Sequence, residues 1–367
     1  MIAPKIHPLS TRMRMLRGPL AAIFLGGLIT PAAQVEAPST GLLNSTRAVA
    51  INSRTGKVYA VDSARNAVEI FDPLNRATAR VAVGRAPVAI AVNEPTNTIY
   101  VANSGGDTVS AIDGKTDILT KDIKVGSHPY VVAANPATNR IYVSNTFSRI
   151  ITVIDARTNL TTTVEAGSAD AIAVDQNLDR VYLLGYEDTH LTVLDQSARV
   201  VGKVAAGIHL WGMAVNGSTH TLYLTRSGSG ELLIFDEDSA QATTLPVGAM
   251  PCAVAVNETT NRVYVANHNE DTVTVIDAAK GVRLATLNVG SRPQALAIDS
   301  GRNLVYVANT HGDSVTVIDG AQNRVRETVK TGKNPYALAV GSTSGQLFVA
   351  VEGNRALEVI DVQHEPR

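Results

Sequence analysis

The chain repeats itself. A segment reading AVAIN ends at Asn52, and its copies end at Asn93, Asn135, Asp175, Asn216, Asn257, Asp299 and Gly341, in steps of 41, 42, 40, 41, 41, 42 and 42 residues. No insertion interrupts the array. Each unit has the same internal order. In the sixth, AVAVN at 253–257 is followed by a tight turn, RVYVAN at 262–267, a short loop, DTVTVID at 271–277, a turn and RLATLNVG at 283–290. These are four strands with alternating apolar positions and β-branched residues, and no stretch keeps a helical period. Units of about 40 residues built from short strands close into a β-propeller. The expected fold is therefore all-β, a single propeller of eight four-stranded blades. A seven-bladed ring with one unit displaced is the alternative. Strands are named a to d from the channel outward.

Closure follows from counting. There are eight a-b-c sets but seven convincing d strands, because the last unit ends at Val362 and leaves only Gln363 to Arg367. A ring should not leave a raw strand edge. The N-terminal segment, residues 35–43, is expected to supply the missing outer strand.

The b strands carry a resemblance. IYVAN at 99–103, IYVSN at 141–145 and VYVAN at 263–267 and 305–309 each precede a TVTVID-like strand. Weaker copies are VYAVD at 58–62, VYLLG at 181–185, LYLTR at 222–226 and LFVAV at 347–351. This pattern resembles the YVTN family of β-propeller repeats, over about residues 44–362. The resemblance implies an exported or cell-surface propeller. It implies little about activity, since many such proteins have none assigned.

The N-terminus reads as an address. Lys5, Arg12, Arg14 and Arg17 precede an 11-residue apolar run, PLAAIFLGGLI at 19–29, and then small residues up to Ala33 and Ala37. The run is shorter than the roughly 20 residues that a membrane-spanning helix needs. Basic, apolar, then small is the order of a secretory signal peptide. We divide the chain into a leader, 1–37, and a propeller domain, 38–367. An uncut N-terminal anchor is the alternative. The expected location is the periplasm or outside the cell.

Composition narrows the function. With 32 basic and 33 acidic residues the net charge is −1, which argues against a nucleic-acid binder. Cys252 is the only cysteine, so an intramolecular disulfide and Cys-based metal clusters are ruled out. Trp211 is the only tryptophan, which excludes the repeated Trp docking of quinoprotein propellers. No phosphate loop, nucleophile elbow or zinc-spaced Cys/His pair is present.

Comparing the units separates scaffold from the rest. Strand c ends in Asp in all eight: Asp72, Asp113, Asp155, Asp195, Asp236, Asp277, Asp319 and Asp361. A catalytic acid is needed once, so these are read as turn caps. Four residues after the end of strand a stand Gly56, Asn97, Asn139, Asp179, His220, Asn261, Asn303 and Gly345. Those types best tolerate a left-handed backbone, so His220 is read as a turn residue. Asp107, Asp271 and Asp313 are read as formers of the b-c turn.

The variable positions fall on the d-a and b-c loops, which share one face. The d-a loops carry Arg47, Arg85, Arg292 and Lys333, with His128 and His209 at equivalent positions. The entry of strand a varies freely: Arg47, Val88, Tyr130, Asp170, Trp211, Cys252, Gln294 and Tyr336. Tyr130, Trp211 and Tyr336 offer stacking surface beside positive charge, and Asp170 is the one acid among them. Such a mouth suits an anionic or sugar-like ligand. His190, His268 and His311 lie in b-c loops.

The expected function is a binding scaffold for a protein or a small anionic ligand, acting as a monomer without cofactor. Two alternatives stand beside it. One is a metal-assisted hydrolase or lactonase at the channel mouth, with His128 and His209 as candidate metal ligands. The other is DNA binding through the rim.

Overall fold

The computed structural model describes residues 43–44, 49–185, 188–341, 345–352 and 357–361. Apart from one short 3-10 turn at Thr310–Gly312, the regular elements are all strands. They form eight antiparallel sheets around a ring. The chain is an eight-bladed β-propeller. The seven-bladed alternative is overturned by the eighth sheet, Ala337–Gly341, Gln346–Ala350 and Leu357–Asp361. In blades 1 to 7 the four strands follow chain order, each hydrogen-bonded to the next. Blade 2, for example, is Pro87–Asn93, Thr98–Asn103, Thr108–Asp113 and Ile118–Lys124.

Blade contacts come from one aromatic position. Tyr59, Tyr100, Tyr142, Tyr182, Tyr223, Tyr264, Tyr306 and Phe348 occupy the same place in strand b, each at most 1% exposed. Burying such a side chain stabilises by about 1.5–3 kcal/mol. Two of the hydroxyls reach the next blade: Tyr59 donates to Asp117 Oδ1 at 3.3 Å, and Tyr100 to the Ala156 carbonyl at 3.4 Å. The ring closes by packing. Val49, Ile51 and Val58 of blade 1 share one core with Ala339, Phe348 and Ala350 of blade 8, and Phe71 meets Phe348 at 5.8 Å.

The turn residues behave as the repeat requires. All eight positions from Gly56 to Gly345 have φ between 49° and 72°. Seven of the strand-c aspartates accept backbone N–H bonds from the next turn. Asp113 does so from Lys115 and Thr116, Asp155 from Arg157 and Thr158, and Asp319 from Ala321 and Gln322. Those bonds, from Thr116 first, hold the Asp113 carboxyl below its ordinary range.

His220 does more than turn the chain. The buried residue ending strand a latches onto the left-handed turn residue of the next blade. Asn52 donates to Asn97 at 2.6 Å, Asn93 to Asn139 at 3.0 Å, Asn216 to Asn261 at 3.1 Å and Asn257 to Asn303 at 2.9 Å. Between blades 4 and 5 the first residue is Asp175, and its partner is His220 Nδ1 at 3.1 Å. A carboxylate cannot donate, so the partner must.

The N-terminal strand departs from expectation. Leu43 and Asn44 pair with Val174 and Ala173, on the channel-side edge of blade 4, and not with blade 8. Residues 35–42, the rest of the expected closing strand, lie outside the described residues, as does the leader. Among the described residues blade 8 has three strands, and its strand c is less buried than any other. No helix among the described residues is long and apolar enough to cross a membrane.

Candidate functional site

The d-a loops are held from both sides. The residue just before strand a takes a left-handed backbone at Ala86, His128, His209, Met250, Arg292 and Asn334, with φ between 47° and 58°. At Ala86, His128, Arg292 and Asn334 its N–H is taken by the b-c turn of the preceding blade. Asp107 accepts from His128 at 2.8 Å, Asp271 from Arg292 at 2.7 Å and Asp313 from Asn334 at 2.9 Å, while Asn66 accepts from Ala86 at 2.8 Å. Its carbonyl is taken by the blade it enters: His128 accepts from Thr146 N at 3.0 Å and Arg292 from Thr310 N at 3.0 Å. Each such peptide bridges two blades. Asp107, Asp271 and Asp313 are thus turn formers, themselves left-handed, and also ties between blades.

The glycine opening four of the loops has a contact reason. A Cβ on Gly84, Gly126, Gly248 or Gly290 would lie 2.5–2.7 Å from a side-chain atom of Asn103, Asn145, Asn267 or Asn309 or its near neighbours. Those asparagines end strand b and lock strand c. Asn103 donates to Ser110 at 2.8 Å, Asn145 to Thr152 at 3.0 Å, Asn267 to Thr274 at 2.9 Å and Asn309 to Thr316 at 2.9 Å.

The predicted rim residues have distinct surroundings. Arg47 lies outside the described residues. Arg85 is exposed, and its Nε donates to the Gly105 carbonyl at 2.7 Å. Arg292 donates to Asn269 Oδ1. Lys333 is exposed, and the neighbouring Asn334 amide donates to Glu352 at 2.7 Å. Tyr130 and Trp211 are half-buried, with part of each ring spent on the cores of adjoining blades. Asp170 is half-buried at the entry of blade 4, its N–H donating to the Leu184 carbonyl at 2.7 Å. Burial, with the charges of Glu352 and Asp62 nearby, pushes the Tyr336 phenol up to about 12. Thus Glu352 and Asp62, acids that the linear reading placed apart, stand close to the rim.

The histidines have separate surroundings, except for one pair. His128 stacks on the exposed ring of Phe147 at 4.2 Å in blade 3. His209 lines a cleft between blades 5 and 6. His268 and His311 meet edge to face at 6.5 Å. Burial first, then Arg292 and His311, holds the His268 imidazole below its ordinary range, and its Nδ1 donates to the Pro293 carbonyl at 3.2 Å. Among the described residues no group of three or more His, Cys, Asp or Glu is arranged to hold a metal ion. Cys252 is 2% exposed, and burial pushes its thiol up to about 12, so it is no thiolate nucleophile.

Two inter-blade clefts open on this face. The first, about 700 Å³ between blades 5 and 6, includes His209, Ser227, Ser229, Met250, Asn269 and Glu270. It exists where the b-c loop is only Ser-Gly-Ser-Gly at 227–230. The second, about 450 Å³ between blades 3 and 4, includes Arg149, Glu165, Asp188, His190, Thr192 and Lys203. Arg149, Lys203 and Glu270 escaped the sequence reading because a cleft between blades has no linear signature.

Known proteins support the fold. A family described as YNCE-like beta-propeller matches residues 237–365, essentially the last three blades. No curated protein matches significantly. Kuenenia stuttgartiensis hydrazine synthase is similar in structure at 18% identity and a TM-score of 0.61, over 90% of this chain and 97% of that one. Dihydro-heme d1 dehydrogenase NirN in complex with DHE is similar at 14% identity and a TM-score of 0.70, over 90% of this chain and 73% of that one. At such identities the likeness concerns architecture.

Proposed function

We propose that this protein is an exported binding propeller whose d-a and b-c loop face holds a small anionic ligand at the channel mouth. One observation carries the reading. The d-a turns at Ala86, His128 and Arg292 are fixed by hydrogen bonds to two blades at once, yet their side chains are Ala, His and Arg. A rigid frame with free choice of side chain is what a recognition surface needs. Arg292 and Lys333, on successive d-a loops, supply the positive charge, with Tyr336 beside them. The basic and apolar leader supports export.

The test is titration of the mature protein with citrate, a compact polycarboxylate. Arg292→Glu with Lys333→Glu should weaken binding by about tenfold or more, with melting unchanged. Equal affinity in the double variant, or no citrate binding by wild type at millimolar concentration, defeats the reading.

A further inference from the structure

We infer a second binding site, separate from the mouth, in the cleft between blades 3 and 4: it takes the phosphate of a small phosphate monoester, held by Arg149, Lys203 and His190. The inference starts from two places where the repeat breaks its own rules, both at this one junction.

The first break is Arg149. It stands at the left-handed position of the b-c turn, with φ 53°. The same position elsewhere is Asn66, Asp107, Gly230, Asp271 or Asp313. These are the types that suit that backbone, and four of them use a side-chain oxygen to hold the next d-a turn. Arginine is poorly suited to the conformation, so the scaffold loses by it. Local exceptions of this kind concentrate where function overrides stability.

The second break is Gly185. It stands where blades 2, 3, 6 and 7 end strand b in asparagine, a place taken by Asp62, Arg226 and Val351 in blades 1, 5 and 8. In those blades the amide binds the hydroxyl at one place in strand c: Ser110, Thr152, Thr274 or Thr316. In blade 4 that place is Thr192, which no asparagine amide reaches. Thr192 instead lines the cleft.

The geometry gathers the donors. Thr192 and Lys203 are register partners on strands c and d of blade 4, and His190 lies two residues from Thr192, so all three project from one face. Arg149 comes from the b-c loop of blade 3. Arg149, His190 and Lys203 are all exposed. Neither Glu165 nor Asp188, which also line the cleft, forms an ion pair with Arg149 or Lys203 among the described residues. Asp188 lies instead over Gly185, whose Cβ would meet its carboxylate. A guanidinium fork, an ammonium, an imidazole whose Nδ1 is hydrogen-bonded to the Thr189 hydroxyl at 2.8 Å, and the hydroxyl of Thr192 form a donor set for a tetrahedral oxyanion. The cleft, about 450 Å³, also has room for an attached polar body, which Glu165 and Asp188 would meet as acceptors. A hydroxyl-rich body such as a sugar fits that edge.

The experiment titrates the mature protein with glucose 6-phosphate, glucose and inorganic phosphate. Wild type should bind glucose 6-phosphate and not glucose. Arg149→Asn should weaken binding about tenfold or more while melting at the same or a higher temperature, because asparagine tolerates the left-handed backbone better. Lys203→Gln should weaken it comparably, and serves alone if the first variant folds poorly. The Arg292→Glu, Lys333→Glu variant should bind normally, so failure of the mouth reading leaves this one standing. Inorganic phosphate binding as tightly as the ester supports the site with free phosphate as its source. Glucose binding as well as its phosphate, undiminished binding in both cleft variants, or no binding of either phosphate by wild type at millimolar concentration overturns it.

Discussion

Gly290→Ala is expected to cost this protein far more than a surface glycine change should. Gly290 lies outside the left-handed region, so alanine meets no backbone penalty there. The obstacle is Asn309, whose amide carbon and nitrogen lie 2.6–2.7 Å from where the Cβ would stand. Asn309 is fully buried and donates to Ser314 Oγ at 3.2 Å and Thr316 Oγ1 at 2.9 Å. Moving it breaks two hydrogen bonds of about 1 kcal/mol each and leaves buried polar atoms unpaired, for about 1–3 kcal/mol more. The expected loss is about 3–5 kcal/mol, read as a fall in the urea midpoint at constant slope. The chain itself contains the compensated pair. At the loop entering blade 4 the opening residue is Ala166, and the strand-b residue opposite is Gly185. Adding Asn309→Gly should therefore make Gly290→Ala nearly neutral relative to Asn309→Gly alone, a coupling of about 2 kcal/mol or more. A Gly290→Ala protein within about 0.5 kcal/mol of wild type, or strict additivity in the double variant, would refute the contact argument.

Two further outcomes are expected. Cys252, buried with its thiol pushed up to about 12, should resist a water-soluble thiol reagent in native protein at about pH 8 and react fully in urea; rapid native labelling would contradict the burial. Asp113 has its folded pKa lowered by turn N–H bonds, so its contribution is present above the unfolded value of about 3.9 and is lost as pH falls through the folded one. The stability gap between wild type and Asp113→Ala should thus close between about pH 5 and pH 2, and a constant gap would show that the carboxylate is not the capping group.

How much was legible follows from what repeats. Strand identity, blade count, the left-handed a-b turns and the capping aspartates recur in every unit, so comparison within one chain averages away local accident. The glycines of the d-a loops recur as well, but their reason is a contact with an asparagine 19 residues later, visible only once strand b folds beneath the loop. His220 looked like a turn residue alone, because its acceptor, Asp175, is 45 residues away and meets it only across a blade boundary. The rim also changed character: the ring places Glu352 and Asp62, the latter at the end of strand b in blade 1, beside Tyr336.

The sequence by itself determined the repeat, and the repeat determined the propeller, because each unit's alternating apolar faces can be buried only between two copies of itself. Tertiary structure alone decided what stands between the copies. Clefts, latches and the partners of charged loop residues arise across blade boundaries, between residues some 20 to 45 positions apart. A local pattern constrains the backbone of one unit, whereas the angle and spacing between neighbouring units are set by the packed ring as a whole.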